Sequence, residues 1–206
     1  MTRGRGRRQA PRAKRLDARA WIAAALEALA AGGIEAVRVE PLAKALAVTK
    51  GSFYWHFADR RELIDAVVTQ WTEGRVAAIR VQASSGGRAD AVLRRLARLY
   101  THRGNVRGLA VELAIRGFAH VDGRAALAVR RVDRERLDDV ARLFVHLGWS
   151  DADARARAVL FYSYLFGQSL LDGRTVPPGA RERAVGALLT GPRGRDRAAG
   201  RRQAAS

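Results

Sequence analysis

One periodicity runs through most of this 206-residue chain: apolar residues return every three or four positions, and strict alternation is almost absent. A period near 3.6 gathers side chains on one face of an α-helix, whereas a half-buried strand needs a period of two. The chain is therefore expected to be all-α. Asp17 can cap a first helix in which Ile22, Ala25, Leu26 and Leu29 form the stripe, ending at Gly32-Gly33. A second helix begins near Val39, with Pro41 inside the first turn where its missing N–H costs little, and runs to Leu46. A third is expected over 49–57 with Thr49 as N-cap. Asp59-Arg60-Arg61-Glu62 then reads as a capping box opening a long fourth helix to about Val81. Past SSGGR at 84–88, further helices are expected at 88–102, 105–119, 122–147, 151–172 and 178–190, about nine in all. Ser150 and Asp153 make another capping box behind Gly148, and Pro177-Pro178 separates the last two helices.

Composition narrows the function. The formal charge of +18 calls for a polyanionic partner, nucleic acid before an anionic membrane surface. Much of that charge is terminal. Residues 1–15 carry Arg3, Arg5, Arg7, Arg8, Arg12, Lys14 and Arg15 with no acid, and residues 191–206 carry five arginines against Asp196. Both ends are expected to be disordered basic tails, the first a candidate nucleic-acid arm. The absence of cysteine excludes disulfides and thiol chemistry and fits a reducing cytoplasm. WIAAALEALAAGG imitates the apolar part of an export signal, but Arg19 precedes it and Glu27 interrupts it. No stretch reaches the roughly 18–20 uninterrupted apolar residues of a membrane span. A cytoplasmic protein with no membrane partner is expected.

The most informative stretch is VTKGSFYWHFADRRELI, residues 48–64. Three helices, the last two joined by a tight turn, make the helix-turn-helix arrangement, which lays a short helix in the DNA major groove. Phe53 and Phe57, four apart, fall on one face and can hold that helix against Leu26, Leu42 and Leu46. Lys50 and Tyr54 fall on a flanking face, and Ser52, Trp55 and His56 point away. Gly51 removes a side chain where another surface must come close. Trp55 fits either a DNA-backbone contact or simple packing.

From Trp21 to Leu63 the chain resembles the DNA-binding domain of the TetR family of transcriptional regulators, and VTKGSFYWHF is close to that family's recognition-helix signature. The resemblance implies an N-terminal helix-turn-helix followed by an all-helical domain that dimerises and binds a small inducer. It implies that Thr49, Lys50, Gly51 and Ser52 face the major groove and that Tyr54 and His56 hydrogen-bond phosphates. Arg60 lies where the family usually has a phosphate-binding lysine. Two positions depart from the pattern. Arg38 stands where Ser or Thr commonly caps the second helix, exchanging a cap for a cation that reads as solvent-facing or as a DNA contact. Ala47 replaces the usual turn glycine, at a cost on the order of 1 kcal/mol if the backbone there is left-handed. Residues 16–58 balance four bases against four acids, so the head relies on local placement or on help from the adjoining arm.

The remainder carries subtler signals. VLFYSYLFGQSLL, residues 159–171, is apolar almost all round, which points to cover on both sides. Ser163 and Gly167, four apart, would let a second backbone approach, so this helix and 178–190 are the expected homodimer interface, with a fully buried core helix as the alternative. An inducer pocket is expected between Arg61 and Leu171, with Trp71, Tyr100, Phe118, Phe144, Phe161 and Tyr164 as aromatic lining and Arg116, His120 and Gln168 as polar candidates. Each of these also reads as ordinary packing. The histidines outside the head lack i, i+4 ligand spacing, so neither a metal nor a cofactor is expected. The domain plan is an arm at 1–15, a DNA-binding head at 16–60, a ligand-binding and dimerisation body at 61–190 and a tail at 191–206. The expected function is a homodimeric regulator, a repressor leaving a palindromic double-stranded operator when a small molecule binds. A non-specific basic architectural protein and a hydrolase are the rivals. The anchored Phe53/Phe57 helix argues against the first, and the lack of a nucleophile elbow or phosphate-cradling loop against the second.

Overall fold

A computed structural model describes residues 17–84, 86–101 and 106–167, together with Pro177, Ala180, Arg183 and Gly186. Among them there is no strand. Eight α-helices follow in order: α1 (Ala18–Gly32), α2 (Val39–Ala45), α3 (Lys50–Phe53), α4 (Arg60–Ser84), α5 (Ala89–Thr101), α6 (Val106–Phe118), α7 (Gly123–His146) and α8 (Asp151–Gly167). A 3₁₀ turn, Ile34–Ala36, links α1 to α2. Of the ninth expected helix, 178–190, only Ala180, Arg183 and Gly186 fall among the described residues, and these are helical. The expected extension of the eighth helix past Gly167 lies outside them. No helix of the described residues is long and apolar enough to cross a membrane.

The chain forms two compact units, divided between Val67 and Val68, inside α4. In the first, Asp17 accepts the Ala20 N–H at 3.0 Å and so caps α1. Gly33 ends that helix with φ +68°, its N–H returning to the Leu29 carbonyl. Trp21, Ala25 and Leu29 form the buried edge of α1, with Leu42, Ala43, Phe53, Phe57, Leu63 and Ile64 completing the core. At the start of α4, Asp59 accepts the Glu62 N–H at 2.8 Å, while the Glu62 carboxylate takes the Ala58 N–H at 2.6 Å. The capping box is thus present, with its return bond one residue further out.

The second unit packs α5, α7 and α8 around Val92, Leu93, Leu96, Val140, Phe144, Ala154, Ala158, Phe161, Tyr162 and Leu165. Asp122 caps α7 through the Ala125 N–H at 2.8 Å. Ser150 caps α8, its Oγ accepting the Asp153 N–H at 3.2 Å and donating to the Asp153 carboxylate at 2.7 Å.

Candidate nucleic-acid interface and C-terminal cleft

The short helix α3 is fixed from one side only. Phe53 is completely buried, edge-on to Trp21 with ring centroids 5.2 Å apart and stacked on Phe57 at 5.5 Å. Full burial of such a side chain contributes about 1.5–3 kcal/mol, and each aromatic pair roughly 0.5–1.5 kcal/mol more. The opposite side is open. Thr49, Lys50 and Gly51 are exposed, as are Tyr54 at 55% and Trp55 at 81%, with Ser52 and His56 half-buried. Regular α-helix stops at Phe53, short of the 49–57 expected from sequence, and Tyr54–His56 continue as a turn. The Phe53 carbonyl receives both the His56 and Phe57 N–H, at 2.9 and 3.1 Å, which tightens that last turn. Thr49 occupies the N-cap position, but its hydroxyl makes no capping bond.

Both departures from the family pattern have visible structural correlates. Arg38 is the N-cap of α2 and supplies no side-chain bond, and its side chain is exposed. Ala47 has φ +55°, the described non-glycine residue with a left-handed backbone. Its N–H is held by the Lys44 carbonyl at 3.1 Å, and the next N–H, of Val48, returns to Ala43 at 3.0 Å.

Charge on this surface is locally compensated. Lys50 Nζ donates to Glu40 Oε1 at 2.5 Å. That bond and its charge hold the Glu40 carboxyl below its ordinary range and raise the Lys50 ammonium above its own. Arg60 turns inward: Nε and Nη2 donate to the Val37 and Ile34 carbonyls, each at 2.6 Å, and Glu35 stands 4.0 Å away. Arg60, which the family resemblance directs towards phosphate, thus ties α4 to the turn before α2.

The second unit contains a cleft of about 180 Å³ between α6, α7 and α8. Arg116, Asp133, Arg136, Leu137, Val159, Tyr162, Ser163 and Phe166 line it. Its floor is an ionic network. Arg136 grips the buried Glu112 with two bonds, of 2.7 and 2.8 Å. Arg116 donates to Glu112 at 3.0 Å and pairs with both oxygens of Asp133, while Arg75 Nε stands 3.5 Å from Glu112. Burial pushes the Glu112 carboxyl up, but the Arg136 bonds and the charges of Arg136, Arg116 and Arg75 outweigh it, and the net direction is down. Burial lowers Arg116, and the Asp133 bond with the Glu112 charge more than restores it.

Among the described residues expected to line a pocket, Arg116 lines this cleft, and Ser163, expected at a dimer interface, joins it. Phe144 and Phe161 are wholly buried in the α5–α7–α8 core, and Tyr164 packs against the edge of that core. Trp71 is buried in α4 with its indole N–H unpartnered among the described residues, Phe118 is half-buried and His120 exposed. The Tyr100 side chain and Gln168 lie outside the described residues. Glu112, Asp133, Arg136, Tyr162 and Phe166 were missed. The signal available was a set of helical spacings: Glu112/Arg116 and Tyr162/Phe166 at i, i+4, and Asp133/Arg136 at i, i+3. Among the described residues no group of three or more His, Asp or Glu could hold a metal ion.

Comparison with known proteins agrees with this geometry. Residues 22–67 match the family model described as bacterial regulatory proteins, tetR family. That segment contains the buried Phe53/Phe57 anchor and the open α3 surface. Residues 22–67 are thus similar to the DNA-binding segment of that family. No curated protein matches the sequence. Among solved structures, a transcriptional regulator from Rhodococcus sp. Rha1 superposes with a TM-score of 0.69 at 19% identity, covering 84% of this chain and 94% of that one. A protein from Saccharomonospora viridis in complex with choline gives 0.67 at 16%, over 84% and 92%. AibR, in complex with isovaleryl coenzyme A and operator DNA, gives 0.64 at 19%, over 87% and 100%. At these identities the likeness is one of fold, and it reaches over the helices beyond the matched segment.

Proposed function

We propose that the chain is a TetR-family repressor that works in the cytoplasm as a homodimer, reads a palindromic operator through α3, and leaves it when a small molecule binds the second unit. The reading rests above all on the polarity of α3: Phe53 and Phe57 are spent on the core, while Thr49, Lys50, Gly51, Tyr54 and Trp55 are left outward. Thr49 to Ser52 are assigned to base edges, Tyr54 and His56 to phosphates, and Trp55, Arg38 and Arg60 to the flanking backbone. Gly51 supports the assignment. Within the chain an added Cβ would meet only the Thr49 hydroxyl at 3.7 Å, so the fold itself does not require glycine there.

The remaining parts follow from the need for two heads. Half-sites one helical turn apart, about 34–36 Å, require two copies of a chain with one recognition helix. Val159 at 50% and Leu160 at 67% exposure are large apolar side chains on the outer side of α8, beside exposed Ser163. This face supports pairing. The basic residues 1–15 are assigned to the DNA backbone beside a head at 16–60, with the body at 61–190 and the tail at 191–206. AibR was solved with operator DNA and an acyl coenzyme A, which makes a cleft among helices of the second unit the natural place for the effector here. Selection of bound duplexes from a random pool tests the function. An inverted repeat is expected; enrichment of no sequence would instead indicate a non-specific basic protein.

A further inference from the structure

We infer that the α6–α7–α8 cleft takes a small organic anion, a carboxylate on a short aliphatic or aromatic body. This rests on the proposed ligand response and adds the chemical class of the ligand.

The charge count points to an anion. Arg75, Arg116 and Arg136 face Glu112 and Asp133, so these five groups carry one positive charge in excess. Two of the arginines line the cleft itself, and Arg136 is almost fully buried, where a charge is weakly screened. Arg116 has capacity left: among the described residues its Nη1 makes one hydrogen bond, to Asp133, and a guanidinium Nη carries two N–H groups. The Asp133 side chain, 36% exposed, is the outermost carboxylate of the network. An incoming carboxylate can take the remaining Arg116 N–H or exchange with Asp133 at that fork.

The aromatic side of the cleft argues against a cation. Phe166 and Tyr162 would be the rings to hold an ammonium group, but arginines already stand over them. The Arg116 guanidinium lies 4.6 Å from the Phe166 centroid, and Arg136 lies 5.5 Å from the same ring and 5.7 Å from Tyr162. A third cation would meet two like charges. The ring edges, with Leu137 and Val159, instead offer apolar contact to the body of an acid, and the Ser163 hydroxyl is at the same opening. Val159 and Ser163 also belong to the face proposed for pairing, so a second copy would close the cleft from that side.

The test is calorimetric titration of the full-length wild-type protein with butyrate, hexanoate and benzoate, their three primary amides, and choline. At least one carboxylate is expected to bind tenfold or more tightly than its own amide, with choline weaker than either. Arg116→Gln should remove that preference and Arg116→Lys restore part of it. Because Arg116→Gln also disturbs Glu112, the acid-against-amide contrast on the wild type stands whether or not the variant folds. Amides or choline binding as well as the acids, or no acid binding at all, overturns the inference. Release of a labelled operator, followed in parallel, separates this from the broader reading. An acid that binds without releasing DNA sinks ligand release and leaves the anion site standing, whereas an amide or choline that binds and releases DNA does the reverse.

Discussion

Lys50 of α3 is bonded to Glu40 of α2, Nζ to Oε1 at 2.5 Å. The cation proposed to read a base is therefore held by an acid from the neighbouring helix. Both groups lie on the surface, so salt and DNA compete for the pair easily. Glu40 fixes where Lys50 points and adds a negative charge that phosphates must tolerate. Glu40→Gln should tighten binding to operator and random DNA alike and loosen the base preference next to Lys50. Lys50→Ala should relax preference at one base pair, costing about 1–3 kcal/mol there if the contact is bidentate. Binding to a set of singly substituted operators checks both; an unchanged preference profile for Lys50→Ala would remove it from the base-reading set.

Gly51 separates fold from function at a single atom. Its backbone is helical and a Cβ would touch only Thr49 Oγ1, so Gly51→Ala should leave the head as stable or stabilise it by roughly 0.5–1 kcal/mol. DNA affinity should nevertheless fall at least tenfold, because the methyl group stands on the surface assigned to the groove. Urea unfolding and operator titration of the same sample read the two effects. Equal affinity would move the DNA contact away from this face.

Much of the helical framework was legible because its signals are local. Asp17, Asp59 with Glu62, and Ser150 with Asp153 are caps, and a cap needs only neighbours in sequence to form. Phe53 and Phe57 reveal their face by spacing alone. The end of α3 was not legible, since it depends on one carbonyl taking two N–H groups. Nor was the inward turn of Arg60, whose partners lie 23 and 26 residues earlier. The cleft failed to show for the same reason: Glu112 and Arg136 are 24 residues apart, and each alone reads as a surface charge on an amphipathic helix. Phe144 and Phe161, expected as pocket lining, fill the core instead.

Ala47 stores strain in the turn of the head. Its φ of +55° costs an L-residue on the order of 1–2 kcal/mol relative to glycine. Glycine would return about 0.4–1 kcal/mol of that through the freedom of the unfolded chain. Ala47→Gly should therefore stabilise the head by about 1 kcal/mol or less, with the helix-turn-helix unchanged. A measurable loss of stability in urea would show that the alanine methyl group contributes packing.

The Glu112 network gives the second unit an acid limit. The folded-state carboxyl lies below its ordinary 4.5, so its contribution is fully present above that pH. As pH falls through 4.5 the unfolded chain takes up the proton first, and the contribution drains away until the folded pKa is passed. Glu112→Gln should cost about 3–5 kcal/mol at neutral pH by leaving Arg136 buried without its counter-charge. It should also flatten the decline in stability between pH 5 and lower values. Chemical unfolding at stepped pH, wild type against variant, measures both; parallel declines would show that other carboxylates set the limit. Asp139 cannot imitate the effect, because burial raises its pKa and its own contribution runs in the opposite direction.

Pairing through α8 can be tested at two positions that the single chain tolerates. Leu160 is 67% exposed, and an added Cβ at Gly167 meets nothing within 4 Å among the described residues. Neither Leu160→Glu nor Gly167→Arg should therefore disturb the core of Ala158, Phe161, Tyr162 and Leu165 that the same helix turns inward. If α8 meets its copy across this outer side, each variant places a charge without a partner in a desolvated seam. Sedimentation should then show monomers with wild-type helicity. Operator affinity should fall steeply, because a lone head keeps only half of the contacts and loses the effective concentration that a linked second head supplies. Binding of carboxylates to the α6–α7–α8 cleft should weaken as well if the partner closes its mouth at Val159 and Ser163. A Leu160→Glu protein that remains dimeric and holds its operator would place the interface on another face.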